Sequence, residues 1–193
     1  MRLPYVCLVR HGETTWTTTG QHTGRSDIPL TAHGEEEARA LNPRLRERRF
    51  SDVFTSPLQR ALRTCELAGF GAVARADADL VEWDYGNYEG RRTSEIRADR
   101  PTWHLFADGC PNGESAADVG ARADRIIDRV RRCTGNVLLF AHRDIFRVMA
   151  ARWLDLAPKE GGRLYLDTGS VSILGYDHTV DEPVIRLWNA AKS

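Results

Sequence analysis

At 193 residues the chain is long enough for one compact domain with a sizeable core. Its 27 basic and 27 acidic side chains cancel, so no global field draws it to nucleic acid or an anionic membrane, and any anion it binds must be held locally. The four cysteines (Cys7, Cys65, Cys110, Cys133) form no CxxC pair, which argues against a metal site or a disulfide framework, and no apolar run approaches a membrane span.

In chain order, "YVCLV" (Tyr5 to Val9) reads as a buried strand. It is short and runs straight into Arg10-His11 rather than a cleavage site, so it is not read as a signal peptide, and the cytoplasm is the expected location. A helix is expected from about Ala32, capped by Thr31, with Glu35, Glu36 and Glu37 favoured in its first turns by the helix dipole. Pro43 is expected to kink or break it. "DVFTS" (Asp52 to Ser56) reads as a second strand, and Pro57 suits the first turn of a helix running to about Leu67. "GESAADVGARADRIIDRVRRC" is amphipathic, with Val119, Ala123, Ile126, Ile127 and Val130 on one face. "NVLLFA" (Asn136 to Ala141) is a strand that delivers His142 to the helix "DIFRVMAARWL". "GRLYL", "SVSILGY" and "VIRLW" read as late strands, the first two as a candidate hairpin. The alternation of strands and helices over 1–193 predicts a single domain: a three-layer α/β/α sandwich around a mostly parallel central sheet.

Ligands of such sheets bind beyond the carboxyl ends of the strands. Three strand ends deliver Arg10 and His11, then Arg60 one helical turn past Ser56, then His142. For each, the plain alternative is a solvated strand or helix end. Together, two guanidinium forks and two imidazoles match a phosphate dianion. The pocket has no carboxylate cluster for Mg²⁺ and no Cys or Ser nucleophile in a recognisable elbow, so a catalytic reading most simply makes a histidine the nucleophile. Alcohol departure needs an acid. Glu82 in "LVEWDYGNYEG" follows Leu80-Val81 and adjoins Trp83, surroundings that raise a carboxyl pKa; Asp84 and Glu89 compete for the role, and Glu13 less so.

The ordered blocks "LVRHGETTW", "TGRSDIPLTAHG", "FTSPLQRALRT", "LVEWDYGNYEG", "NGES" and "FAH" resemble the histidine phosphatase superfamily, with its phosphoglycerate-mutase-like fold. The resemblance implies that His11 is phosphorylated and that Glu82 donates the proton. It implies that Arg10, Arg60 and His142 grip the phosphoryl group, and that Thr23, Gly24 and Tyr85 line the substrate entrance. "DGCPNGES" and "YDHTVDEPVIRL" look like the branch of sugar-phosphate and sugar-bisphosphate phosphatases and broad acid phosphatases. Two positions depart from the pattern. Thr17 stands where the family has Asn, so a hydroxyl replaces an amide donor to phosphate or the donor is missing. Arg143 stands where the family has Gly after the second histidine; it points to solvent, adds a substrate contact, or narrows the site. The expected activity is metal-independent hydrolysis of a small phosphomonoester, with no cofactor and no nucleic-acid or membrane partner; a homo-oligomer is compatible with the sequence. A phosphoglycerate mutase and a non-catalytic phosphometabolite-binding module are the alternatives.

Overall fold

A computed structural model of the protein describes residues 3–190. Six strands form one sheet: β1 (Val6–Arg10), β2 (Asp52–Thr55), β3 (Arg75–Ala76), β4 (Val137–Ala141), β5 (Val171–Tyr176) and β6 (Pro183–Ala190), in the order β3-β2-β4-β1-β5-β6. The β3–β2, β2–β4 and β4–β1 pairs are parallel. The β1–β5 and β5–β6 pairs are antiparallel, so β5 alone runs against the rest. The helices are α1 (Thr15–Thr19), α2 (Ala32–Arg46), α3 (Gln59–Leu67), α4 (Thr93–Asp99), α5 (Leu105–Asp108), α6 (Ala116–Arg131) and α7 (Arg143–Trp153). This is the mostly parallel α/β architecture that the alternation of elements predicts.

Strand periodicity explains the layers. Side chains of a strand alternate between faces, so a strand covered on both sides must be apolar throughout. In β1, Cys7 and Val9 pack with Leu41 and Leu45 of α2 and Cys65 of α3. Val6 and Leu8 face the other way, into a cluster with Ile126 and Val130 of α6 and Val148 of α7. β4 repeats the pattern, with Leu138 and Phe140 on the first side and Val137, Leu139 and Ala141 on the second. Burial pushes the Cys7 and Cys65 thiols up to about 12, so both are inert packing groups, and all four cysteines are free.

Three elements differ from expectation. α2 continues through Pro43, which lies on its exposed face opposite buried Leu41 and Leu45; the carbonyl of Arg39 that loses its partner is on the solvent side, where water can serve it. α3 begins at Gln59, two residues after Pro57, because the Asp27 carboxylate accepts the Gln59 N–H at 2.8 Å and caps the helix there. "GRLYL" forms no strand. Residues Pro158–Arg163 make a 3₁₀ turn, and the Arg147 guanidinium takes the carbonyls of Gly161, Gly162 and Leu164 that a ladder would need. The late hairpin therefore joins β5 to β6.

Candidate active site

The carboxyl ends of β1, β4 and β2 are level: Arg10 pairs with Ala141, and Thr55 with Phe140. The next residues leave the sheet side by side. The His11 N–H donates to the Ala141 carbonyl (3.0 Å) and the Ser56 N–H to that of Phe140 (2.8 Å). His11 and His142 consequently meet with ring centroids 5.1 Å apart, both buried.

Partners determine each tautomer. The Nδ1 of His11 lies 2.7 Å from the Gly12 carbonyl, which only accepts, so Nδ1 carries the proton and Nε2 carries the lone pair. Burial, then the charges of Arg60 and Arg10, hold the His11 pKa well below its ordinary value, leaving a neutral ring. At His142 the Arg60 Nε–H donates to Nδ1 (3.1 Å), so Nε2 carries the proton and donates to Ser56 Oγ (2.7 Å). Burial first, then Arg60, also keep His142 neutral. Both ring nitrogens of His142 are thus engaged by the protein, and an anion that recruits one must displace Ser56 or Arg60.

Arg60 is fully buried in the first turn of α3. Besides His142 it donates to the carbonyls of Ser26 (2.9 Å), Thr23 (3.1 Å) and Gly24 (2.9 Å), leaving one N–H of its five, on Nη1. Thr23 and Gly24 therefore meet the site as acceptors that hold Arg60. Their loop is seated in turn by Glu89, which accepts from the N–H groups of Gly24 (2.8 Å) and Ser26 (3.1 Å). Gly24 has no room for a side chain: a Cβ there would lie 2.5 Å from the Trp83 carbonyl. Arg10 donates through Nη1 to the Leu166 carbonyl (2.5 Å), while its Nε is buried without a partner. Burial, and next the charge of Arg143, push Arg10 down to about 10.

Glu82 is buried under the N-terminus of α7. Its carboxylate accepts from the N–H groups of Trp83 (2.9 Å), Asp144 (3.1 Å) and Ile145 (3.0 Å). Burial and the nearby Asp144 charge outweigh these bonds and raise its pKa above the ordinary carboxylate value, the direction a proton donor needs. Tyr85 is buried and donates to Asp144 Oδ2 (2.7 Å). Of the competing carboxylates, Asp84 pairs with Arg25 (2.7 Å), and Glu13 accepts from the Thr31 hydroxyl (2.7 Å) and so braces the start of α2. Thr17 is held in a capping box, its hydroxyl donating to the Thr14 carbonyl (2.8 Å) and accepting from the Thr14 N–H (2.9 Å). That proton is used within the helix, and among the described residues Thr17 makes no hydrogen bond to His11 or His142.

Several groups at the site are not picked out by reading the sequence. Ser56 fixes His142. Asp144 gathers Tyr85 and Arg147 (2.6 Å). Arg122 and Glu114 form a two-point pair (2.7 and 2.8 Å) through which Arg122 also holds the carbonyls of Asp79, Val81 and Glu82. Arg122 does leave a trace in the pattern: it falls on the apolar face of α6 with Val119 and Ile126, where an unpaired charge is too costly to bury. Gly12 is required by packing. A Cβ there would lie 2.3 Å from the Gly34 carbonyl, so its bareness lets the His11 loop cross α2 backbone to backbone. A cavity of about 420 Å³ opens at the opposite, amino ends of β1 and β4, lined by Val6, Val137 and Trp153 among others; it contains none of these groups.

The cluster thus gathers two guanidiniums, two neutral imidazoles, of which His11 keeps an unprotonated nitrogen, and one carboxyl with a raised pKa. Comparison with known proteins identifies the relatives of the chain. Residues 6–191 match the family model described as histidine phosphatase superfamily (branch 1). The chain is 40% identical over 177 residues to an acid phosphatase of Mycobacterium tuberculosis, covering 90% of this chain and 87% of that one. It is 30% identical over 250 residues to the sedoheptulose 1,7-bisphosphatase of Saccharomyces cerevisiae, covering 95% and 92%. The solved structure of the open reading frame Rv3214 of M. tuberculosis superposes with a TM-score of 0.93, at 35% identity over 100% of both chains.

Proposed function

The chain belongs to the histidine phosphatase superfamily (branch 1) and is a phosphatase; from that premise we propose that it hydrolyses a small phosphomonoester through a phosphohistidine on His11, without a metal ion. The observation that carries this reading is the His11 ring. Its Nδ1–H is tied to Gly12, its Nε2 is unprotonated, and its neutrality is protected by burial and two guanidiniums. In the first step the Nε2 lone pair forms a P–N bond as the P–O bond to the alcohol breaks, and the departing oxygen takes the Glu82 proton. In the second, Glu82 takes a proton from water, whose oxygen bonds to phosphorus as the P–N bond breaks. Inorganic phosphate leaves with His11 neutral again. Arg10 and the remaining Arg60 N–H stabilise charge on the phosphoryl oxygens, where preorganised donors contribute most.

The relatives named acid phosphatase and sedoheptulose 1,7-bisphosphatase support sugar phosphates and bisphosphates as the substrate class. The mutase alternative needs cations free to rebind a phosphorylated acid. In the segment after the Glu82 block, Arg91 is paired with Asp99 (2.6 Å), Arg92 with the Thr19 carbonyl (2.9 Å) and Arg97 with that of Trp103 (3.0 Å). Free thiols are consistent with a reducing compartment, and no helix among the described residues is long and apolar enough to cross a membrane. The test ranks kcat/KM over sugar phosphates, sugar bisphosphates, phosphoglycerates and phosphopeptides in excess chelator. Sugar phosphates or bisphosphates should lead, at a rate chelation leaves unchanged. A rate abolished by chelator, or a phosphoglycerate isomerised faster than it releases phosphate, would overturn the reading.

A further inference from the structure

Arg143, the first residue of α7, follows His142 and carries a cation with nothing to hold. Among the described residues its guanidinium makes no hydrogen bond and no ion pair, and its Nε is buried without a partner. Asp144, the adjacent carboxylate, is already engaged by Arg147 and Tyr85. The Tyr165 ring flanks the guanidinium at 5.5 Å, a face that steers a cation without satisfying its donors. Arg143 is close enough to Arg10, Tyr85 and His22 for its charge to act on each of them.

Arg10 and Arg143 thus form a like-charged pair in which each has a buried, unsatisfied Nε. Asp144 faces both charges but is engaged elsewhere, so the two unsatisfied Nε groups remain costly, and an oxyanion at each fork relieves them. The transferred phosphoryl group already has Arg10, the spare Arg60 N–H and His11 around it. A further guanidinium outside that set suits a further negative group. We propose that Arg143 is a specificity-determining residue that receives a second oxyanion of the substrate, a carboxylate or a second phosphate, beside the phosphoryl group seated at His11. This rests on the phosphatase reading and narrows its substrates to molecules with two separated anionic groups.

The test compares Arg143→Gln and Arg143→Lys in two arms. In the first, calorimetry on His11→Asn protein, where no turnover occurs, gives dissociation constants for ethyl phosphate, phosphoglycolate and fructose 1,6-bisphosphate. In the second, kcat/KM is measured on the same compounds with His11 intact. Removing one charge-assisted contact should weaken the two-anion probes by about 10- to 100-fold while ethyl phosphate changes by no more than about 3-fold, with Arg143→Lys in between. A loss for phosphoglycolate identifies the carboxylate as a fitting group, and a loss for the bisphosphate identifies the phosphate. Equal losses on all three probes, or none, overturn the proposal. Absence of turnover in the wild type overturns the phosphatase reading instead, and the binding arm still decides the role of Arg143. Because Arg143 has no polar partner to abandon and its charge opposes that of Arg10, Arg143→Gln should melt at or above the wild-type temperature, and a large fall in Tm would mark a structural role.

Discussion

The chemistry depends on single atoms whose protonation is dictated by their neighbours. His11 and His142 are both buried and neutral, but their roles diverge: the first keeps an unprotonated nitrogen free, and the second has both nitrogens engaged. Glu82 is the complementary case, a carboxyl that burial and Asp144 keep protonated to higher pH than usual. A general acid matters most when the leaving group is a poor one. Glu82→Gln should therefore lower kcat on alkyl phosphates by about 10²- to 10⁴-fold and much less on p-nitrophenyl phosphate. The wild-type rate on alkyl phosphates should fall as pH rises through the raised Glu82 pKa, and the variant should lose that limb. Equal losses on both substrates would remove Glu82 from the acid role.

At the scale of elements, the site is where three parallel strands end level with one another. That much is legible in the sequence, because fully buried strands read as unbroken apolar runs and their exits are marked by Arg10-His11, Ser56 and His142. The supporting contacts are long-range and polar, and no period announces them. The carbonyls of Gly161, Gly162 and Leu164 are claimed by Arg147 from another element, so a β-like run becomes a turn. Arg143 could be noticed by its type, but its lack of a partner is visible only once Asp144 is seen to be engaged. Gly12 needs the crossing with α2 to be understood. Gly12→Ala would press a methyl group into the Gly34 carbonyl at 2.3 Å, where only backbone can yield. It should cost about 1–3 kcal/mol in denaturant unfolding and also lower kcat, since the displaced loop carries His11. An unchanged unfolding midpoint would show that the crossing is not tight.

At the scale of the whole molecule, a site built from buried neutral histidines makes stability depend on pH. His11, His142 and His22 are all depressed below the ordinary histidine pKa, burial being the leading cause for each. As pH falls through about 6.5 the unfolded chain takes up protons that the folded chain refuses, so stability present above that pH is lost below it. Glu82, with its raised pKa, opposes the trend by one proton against three. The urea midpoint should drop between pH 7.5 and 5.5, the unfolding free energy falling by up to about 1.4 kcal/mol per pH unit for each histidine. A midpoint that holds or rises would mean that these rings are protonated in the folded state.

The central claim is that His11 carries the phosphoryl group, and its most direct test is rapid quenching of the enzyme with a ³²P-labelled phosphomonoester during the first turnover. The wild type should yield a labelled protein that survives alkali, loses its label in acid and maps to the peptide containing His11, and His11→Asn should yield none. Full turnover with no such adduct, or an undiminished rate in His11→Asn, would contradict the account.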